Sequence, residues 1–351
     1  VKIKLIGVNT VTGRGNSSED STAIYIGQGD LTIDAADDGD SLDVSGGSSS
    51  SASYGIRASN FRAGNGGNIT ISGGTVTASG GQSTSNNSYG IGAWKFNGSG
   101  GAITISGGTV TAAGGTAGLE SIGIFAYFGQ ITISGGDVTA TGGNADRSYG
   151  LSTQDIVTVS GGTVTVTGGD GGFYSTTGRI SISGDSVVRA NATDDGGKPL
   201  YIMSGIITKT NGIVFENGTG TVYGSVELQE DLTIGADETL TIPADASLTN
   251  NGALTIESGG TLTNSGTLTN SGTLTNSGTL ANSGTIDNYG TVTGNRITGT
   301  PINHKVTGVS LDKSSLALDV GGTAQLTPVF TPYNASNQAV TWSTSVAAVA
   351  T

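Results

Sequence analysis

The chain has 351 residues, room for two or three domains, with 62 glycines, 5 prolines, no cysteine and a net charge of −13. Charged residues make up 12%, too few for a typical disordered chain, and glycine lacks the strict every-third spacing of collagen. The absence of cysteine excludes disulfides and thiolate chemistry, the absence of a basic patch argues against nucleic acid as a partner, and no 18-residue apolar run suits membrane insertion.

In chain order, Lys2-Ile-Lys-Leu5 alternates polar and apolar, and Ala23-Ile-Tyr-Ile26 and Leu31-Thr-Ile33 are further strand candidates. A nine-residue stretch then dominates: Ile69-Thr-Ile-Ser-Gly-Gly-Thr-Val-Thr77. It returns at 103–111, 131–139 and 157–165, and more weakly from Ile180. Successive side chains of a strand alternate, so Ile69 and Ile71 share a face and the Gly73-Gly74 pair makes a corner before Val76 points inward again. Between copies stands a third apolar element: Tyr54-Gly-Ile56, Tyr89-Gly-Ile91, Ile122-Gly-Ile124 and Tyr149-Gly-Leu151. Each repeat therefore reads as three strands and their corners, too small to bury its apolar face alone and suited to stacking as a parallel β-helix. In the Tyr-Gly-Ile triplets, Tyr would form a ladder, Gly relieve crowding and Ile fill the core.

Residues 191–230 are less regular. From 231 to 295 the period is shorter, with Leu262, Leu268, Leu274, Leu280, Ile286 and Val292 every six residues in units such as Ser265-Gly-Thr-Leu-Thr-Asn270. Three such sides make a narrow coil of about 18 residues. Asn264, Asn270, Asn276, Asn282 and Asn288 are expected at its corners, tolerating left-handed backbone and stacking their amides. Residues 296–305, with the sole histidine His304, read as a linker, and 306–351 as a separate β module. The expected fold is all-β: a wide parallel β-helix with three-strand coils over 1–230, a narrower hexad-repeat β-solenoid over 231–295, then a partial immunoglobulin-like β-sandwich. The chain starts in a strand-like stretch and stops within a domain, and it is expected to be a monomeric piece of a longer protein.

The Ile-Thr-Ile-Ser-Gly-Gly-Thr-Val-Thr units with Ser53-Tyr-Gly-Ile56 and Ser88-Tyr-Gly-Ile91 resemble the parallel β-helix domains of surface proteins from clostridia and related gut Firmicutes. Some of those are classed as carbohydrate-binding domains on a pectate-lyase-like scaffold that holds calcium. Val306-Thr-Gly-Val-Ser-Leu-Asp312, Val320-Gly-Gly-Thr-Ala-Gln-Leu326 and Val340-Thr-Trp-Ser343 resemble the first half of the group-2 bacterial immunoglobulin-like domain. These resemblances imply an extracellular protein, secreted or attached to the cell wall, with a polysaccharide or a host or cell-wall glycan as partner.

Two clusters depart from the repeat. Where other coils carry Gly-Gly, the early one carries Ala35-Ala-Asp-Asp-Gly-Asp40, so Asp34, Asp37, Asp38, Asp40 and Asp43 crowd one corner. Carboxylate oxygens around a glycine-containing turn suit Ca2+, although Asp favours solvated turns without any metal. A second Asp-Asp-Gly stands at 194–196. The other cluster is aromatic: Phe61 and Arg62, then Trp94, Lys95 and Phe96, then Tyr127 and Phe128, expected in loops at one place in three successive coils. Flat rings can stack on sugar faces and cations can bond hydroxyls or uronates, whereas rings also serve simply to cover a core. No nucleophile–base arrangement is legible, and Arg57, Arg62, Lys95 and Arg147 lack an obvious acidic partner in sequence, so a non-catalytic binding or adhesion role is expected. The alternatives are a purely structural spacer and a calcium-dependent polysaccharide lyase or hydrolase.

Overall fold

A computed structural model describes residues 1–15, 19–37, 39–60, 67–95 and 101–343, excluding the side chain of Lys95. The chain divides into two compact units, Val1–Val226 and Glu227–Thr351. Among the described residues no helix occurs.

The first unit is the parallel β-helix. Its coils contribute one strand to each of three faces. On the first face Leu31, Ile69, Ile103, Ile131, Val157 and Ile180 stand in one register column, and Ile33, Ile71, Ile105, Ile133, Val159 and Ile182 in the next but one. All twelve are fully buried, and the threonines between them point outward. Burial of a side chain of this size contributes about 1.5–3 kcal/mol at most, so the two columns form much of the coil-to-coil adhesion. The second face aligns Leu42 with Val76, Val110, Val138 and Val164, as the Thr-Val-Thr pattern predicts. The third face carries the Ser-Tyr-Gly-Ile strands, Ser53–Asn60, Ser88–Lys95, Glu120–Tyr127 and Arg147–Thr153.

Corners depend on what a side chain would hit. Gly74, Gly108, Gly136 and Gly162, the second residue of each Gly-Gly pair, have φ of 76–86°, which only glycine adopts freely. The glycine of each Tyr-Gly-Ile triplet answers a different need. A Cβ on Gly123 would lie 2.6 Å from the Thr141 nitrogen and 2.7 Å from the Ala112 and Gly150 oxygens. The serine before the triplet joins neighbouring coils. Ser88 donates its hydroxyl to the Gly81 carbonyl at 2.7 Å and accepts from the Gly115 N–H at 2.8 Å, and Ser53 and Ser121 repeat the bridge. The parallel progression of coils stops at an antiparallel pair, Gly212–Glu216 with Thr219–Tyr223.

The second unit begins with the hexad solenoid. Strands such as Thr261–Asn264 and Thr279–Asn282 pair in parallel, one coil of 18 residues apart, with Leu and Asn both turned inward. The asparagines therefore lie at strand ends with extended backbone, and the Ser-Gly pairs make the corners, because a Cβ on Gly284 or Gly290 would overlap a carbonyl of the preceding coil. Their buried amides form ladders: Asn250 donates to Asn270 at 2.8 Å and Asn270 to Asn288 at 2.7 Å, while Asn264 donates to Asn282 at 2.8 Å. Asn250, Asn264 and Asn276 each keep a buried Oδ1 without a hydrogen-bond partner. For the latter two the cause is visible, since the coil before places Ile242 and Ile256 in the amide's register position.

The segment read as a linker adds a further rung. Thr298–Gly299 pairs with Ala281–Asn282 and Asn303–His304 with Asp287–Asn288, and the His304 ring nitrogen lies 3.3 Å from the Asn288 amide. Beyond it the described residues hold one antiparallel pair, Gly308–Leu311 with Pro328–Thr331, and Leu311, Leu318, Val320 and Trp342 are exposed.

Two pairs of substitutions probe this packing. Gly123→Ala should lower stability by about 1–3 kcal/mol through overpacking, whereas Gly39→Ala, with open space around it, should stay within about 0.5 kcal/mol in urea titrations. Asn270→Leu breaks two rungs, leaving the Asn250 amide donor and the Asn288 acceptor without their link through Asn270, and should cost about 2–4 kcal/mol, whereas Asn250→Leu strands only the Asn270 acceptor while removing an orphan oxygen and should cost less than half as much. Equal midpoints for the two asparagine variants would contradict the ladder.

Candidate functional site

The outward side of the first two faces carries Thr, Ser and the occasional Asp. The third face differs: its outward columns are aromatic. One column runs Tyr54, Tyr89, Ile122, Tyr149 and then Gly171. The next runs Arg57, Gly92, Phe125, Ser152, Tyr174 and Tyr201, and a third brings Ser59, Trp94 and Tyr127 together. Tyr89 stacks on Tyr54 at 5.1 Å and on Phe125 at 4.9 Å, while Trp94 stacks on Tyr127 at 5.0 Å. Gly92 makes room for these rings, since a Cβ there would press on Trp94 and Tyr54 at 3.2–3.3 Å.

The expected ring platform is thus partly assembled. Trp94 and Tyr127 share a register position, but they end strands rather than sit in loops, and Ser59, not Phe61, is their partner in the coil before. Phe128 follows at a left-handed φ of 55°, packs edge-on against Tyr127 at 4.4 Å and is 51% exposed. Phe61, Arg62 and Phe96 lie outside the described residues, as does the side chain of Lys95. Phe125, which directly follows the Ile122-Gly-Ile124 triplet and receives no role from sequence, is a central ring of the cluster.

Of the cations read as unpaired, Arg57 and Arg147 are engaged. Arg57 is buried over the Tyr54 ring at 4.5 Å and bonds Asp20 at 2.5 Å, and Arg147 bonds Glu120 at 2.9 Å. Burial alone would raise the Asp20 carboxyl, but the Ser51 hydroxyl, the Arg57 guanidinium and the Ala52 N–H together hold it below its usual value. For the phenols burial prevails: Tyr54 and Tyr89 are pushed well above the usual phenol value, so both remain neutral.

In the acidic turn the described carboxylates do not converge. Asp40 caps the corner, accepting from Gly7 at 2.6 Å, Asp37 at 2.9 Å and Ala36 at 3.0 Å. Asp34 faces Lys2 at 3.4 Å and accepts from the Ser72 hydroxyl at 3.2 Å. Asp37 and Asp43 are exposed, Asp43 lying between Thr10 and Thr77 on the second face, and Asp38 is outside the described residues. Among the described residues no three acidic or histidine groups are placed to hold a metal ion. The described part of the turn closes through its own amides.

A region that sequence reading left without a role lies further along the same face. Tyr149 stacks on Tyr174 at 4.4 Å and Tyr174 leans on Tyr201 at 5.6 Å. Beside them a cleft of about 280 Å³ is lined by Tyr149, Asp170, Asp194, Asp195, Lys198 and Tyr201. Burial, then the Asp170 charge, raises the Tyr149 phenol to about 12. The residues come from three successive coils, so only the Asp-Asp-Gly at 194–196 hinted at it.

The beta helix repeat family matches residues 69–93, 103–118 and 131–150, and the bacterial Ig-like domain (group 2) family matches residues 305–351. No curated protein and no solved structure matches the chain. The chain thus combines β-helix repeats with a C-terminal bacterial Ig-like segment, a combination that fits an extracellular surface protein.

The Asp40 cap has a pH signature. Backbone donors from Asp37 and Gly7 hold its carboxyl below the usual range, so its contribution is complete above about pH 4 and fades as pH falls through the lowered value. Asp40→Asn should lower the wild-type melting temperature at neutral pH and flatten its fall between about pH 5 and 3. Parallel acid limbs for the two proteins would refute the cap.

Proposed function

We propose that the chain is part of a non-enzymatic bacterial surface protein whose wide β-helix contacts carbohydrate along its third face, with the hexad solenoid acting as a spacer. The observation that supports this is the change of chemistry on that one face. Outward positions of a solvated sheet normally carry polar residues, yet here they carry Tyr, Trp and Phe, ending in a half-exposed Phe128. An exposed ring such as Phe128 can bind the apolar face of a sugar, and the buried rings behind it hold it in place.

A second reading is favoured by one observation. Tyr54, Tyr89 and Phe125 are buried and stack on one another, as rings that only seal the outer sheet would. The chain would then be a spacer without a ligand of its own.

A glycan array probed with the full chain, with and without chelator, separates the two. Carbohydrate contact predicts binding that survives chelation and weakens about tenfold in Phe128→Ala, whose ring is exposed enough to remove without unfolding. Absence of binding to every glycan at high protein concentration would leave the spacer.

A further inference from the structure

The column of rings on the third face is interrupted at a defined place. Gly171 stands in register beside Tyr149, where a ring would continue the column, and the backbone of Lys198 closes over it. The cleft of about 280 Å³ opens there, the size of a site for one small ring-sized unit. Its lining is specific in three respects. Tyr149 is only 7% exposed and faces the cleft, yet among the described residues nothing hydrogen-bonds its hydroxyl. Asp170, Asp194 and Asp195 outnumber the single Lys198, whose ammonium lies 4.7 Å over the Tyr201 ring. Asp194 and Asp195 are exposed on a turn held by Gly197 donating to the Asp194 carbonyl at 3.0 Å, so their carboxylates are presented rather than consumed.

A hydroxyl on a nearly buried ring, without a protein partner and open to the cleft, offers a donor and an acceptor to a ligand. Excess negative charge asks for a cation. The acids do not cluster tightly enough for a metal ion among the described residues, which leaves an organic ammonium carried on a body that can lie against tyrosine rings. We propose that this cleft binds an unacetylated amino sugar, its ammonium between Asp194 and Asp195 and a ring hydroxyl on the Tyr149 phenol. The choice of a sugar rests on the carbohydrate reading above; the preference for positive charge rests on the carboxylates alone.

The test is calorimetric titration of the full chain with glucosamine oligomers and with their N-acetylated counterparts. The cleft predicts binding of the amino form at least about tenfold tighter than the acetylated form, weakening with added salt. Asp194→Asn with Asp195→Asn, and separately Tyr149→Phe, should each weaken it by at least about tenfold. Both are isosteric, and an unchanged urea midpoint shows that the fold survives. Equal affinity for the two oligomers, or a double Asp variant that binds like wild type, overturns the proposal. If amino-sugar binding is lost in Phe128→Ala and kept in the cleft variants, the cleft is wrong and the wider carbohydrate reading stands. If it is lost in the cleft variants and untouched by Phe128→Ala, the cleft stands and the Phe128 end of the face is not the contact.

Discussion

Every coil of this protein rests directly on the backbone of the one before it. Parallel strands hydrogen-bonded between coils hold a separation of about 4.8 Å, and that distance leaves no room for a Cβ wherever two chains turn together. The glycines at Gly108, Gly123, Gly284 and Gly290 are all consequences of that one spacing, although one sits in a left-handed corner, another inside a strand and two in Ser-Gly bends. The same constraint places like upon like. Isoleucine meets isoleucine inside, serine bridges corner to corner, and asparagine amides sit at the right repeat to donate each to the next. A ladder of amides satisfies polar groups that would otherwise be buried without partners, and only its first members are left with an orphan oxygen.

Such a scaffold is informative mainly where it is broken. The first and second faces change little from coil to coil. On the third face Tyr54, Tyr89, Ile122 and Tyr149 occupy equivalent positions, then Gly171 does not, and the cleft beside Tyr149 opens at that break. At the other end the acidic turn replaces a Gly-Gly corner. There the extra carboxylates restore what the glycines supplied elsewhere: Asp40 closes the bend by accepting from three backbone amides.

Periodic features are legible in the sequence because each is repeated and local. The alternation of Ile and Thr, the alignment of Leu42 with Val76 and the 18-residue hexad coil all follow from spacing alone. Features set by register between coils are not. Phe61 looks like the counterpart of Trp94, but it stands two residues further from its Tyr-Gly-Ile triplet than Trp94 does, and Ser59 takes that place. Arg57 and Asp20 are 37 residues apart and meet because they occupy adjacent coils. His304 resembles a linker residue, and only the pairing of Asn303–His304 with Asp287–Asn288 reveals it beside the end of an amide ladder. The asparagines stack as their spacing suggests, yet away from the corners, since the adjacent Ser-Gly pairs already supply the bend.

The geometry of a ring ladder also limits where a ligand can bind. Rings repeated along the coil axis stack face to face, so Tyr54, Tyr89 and Phe125 spend their faces on each other and offer little more than edges outward. A sugar needs a free face. Faces become free only where a column stops or turns, and two described places meet that condition: Phe128, turned edge-on to Tyr127 by its left-handed backbone, and the gap at Gly171 beside Tyr149. Recognition on this face is therefore a property of the ends of the aromatic columns, and the buried rings between them act by holding those ends in place.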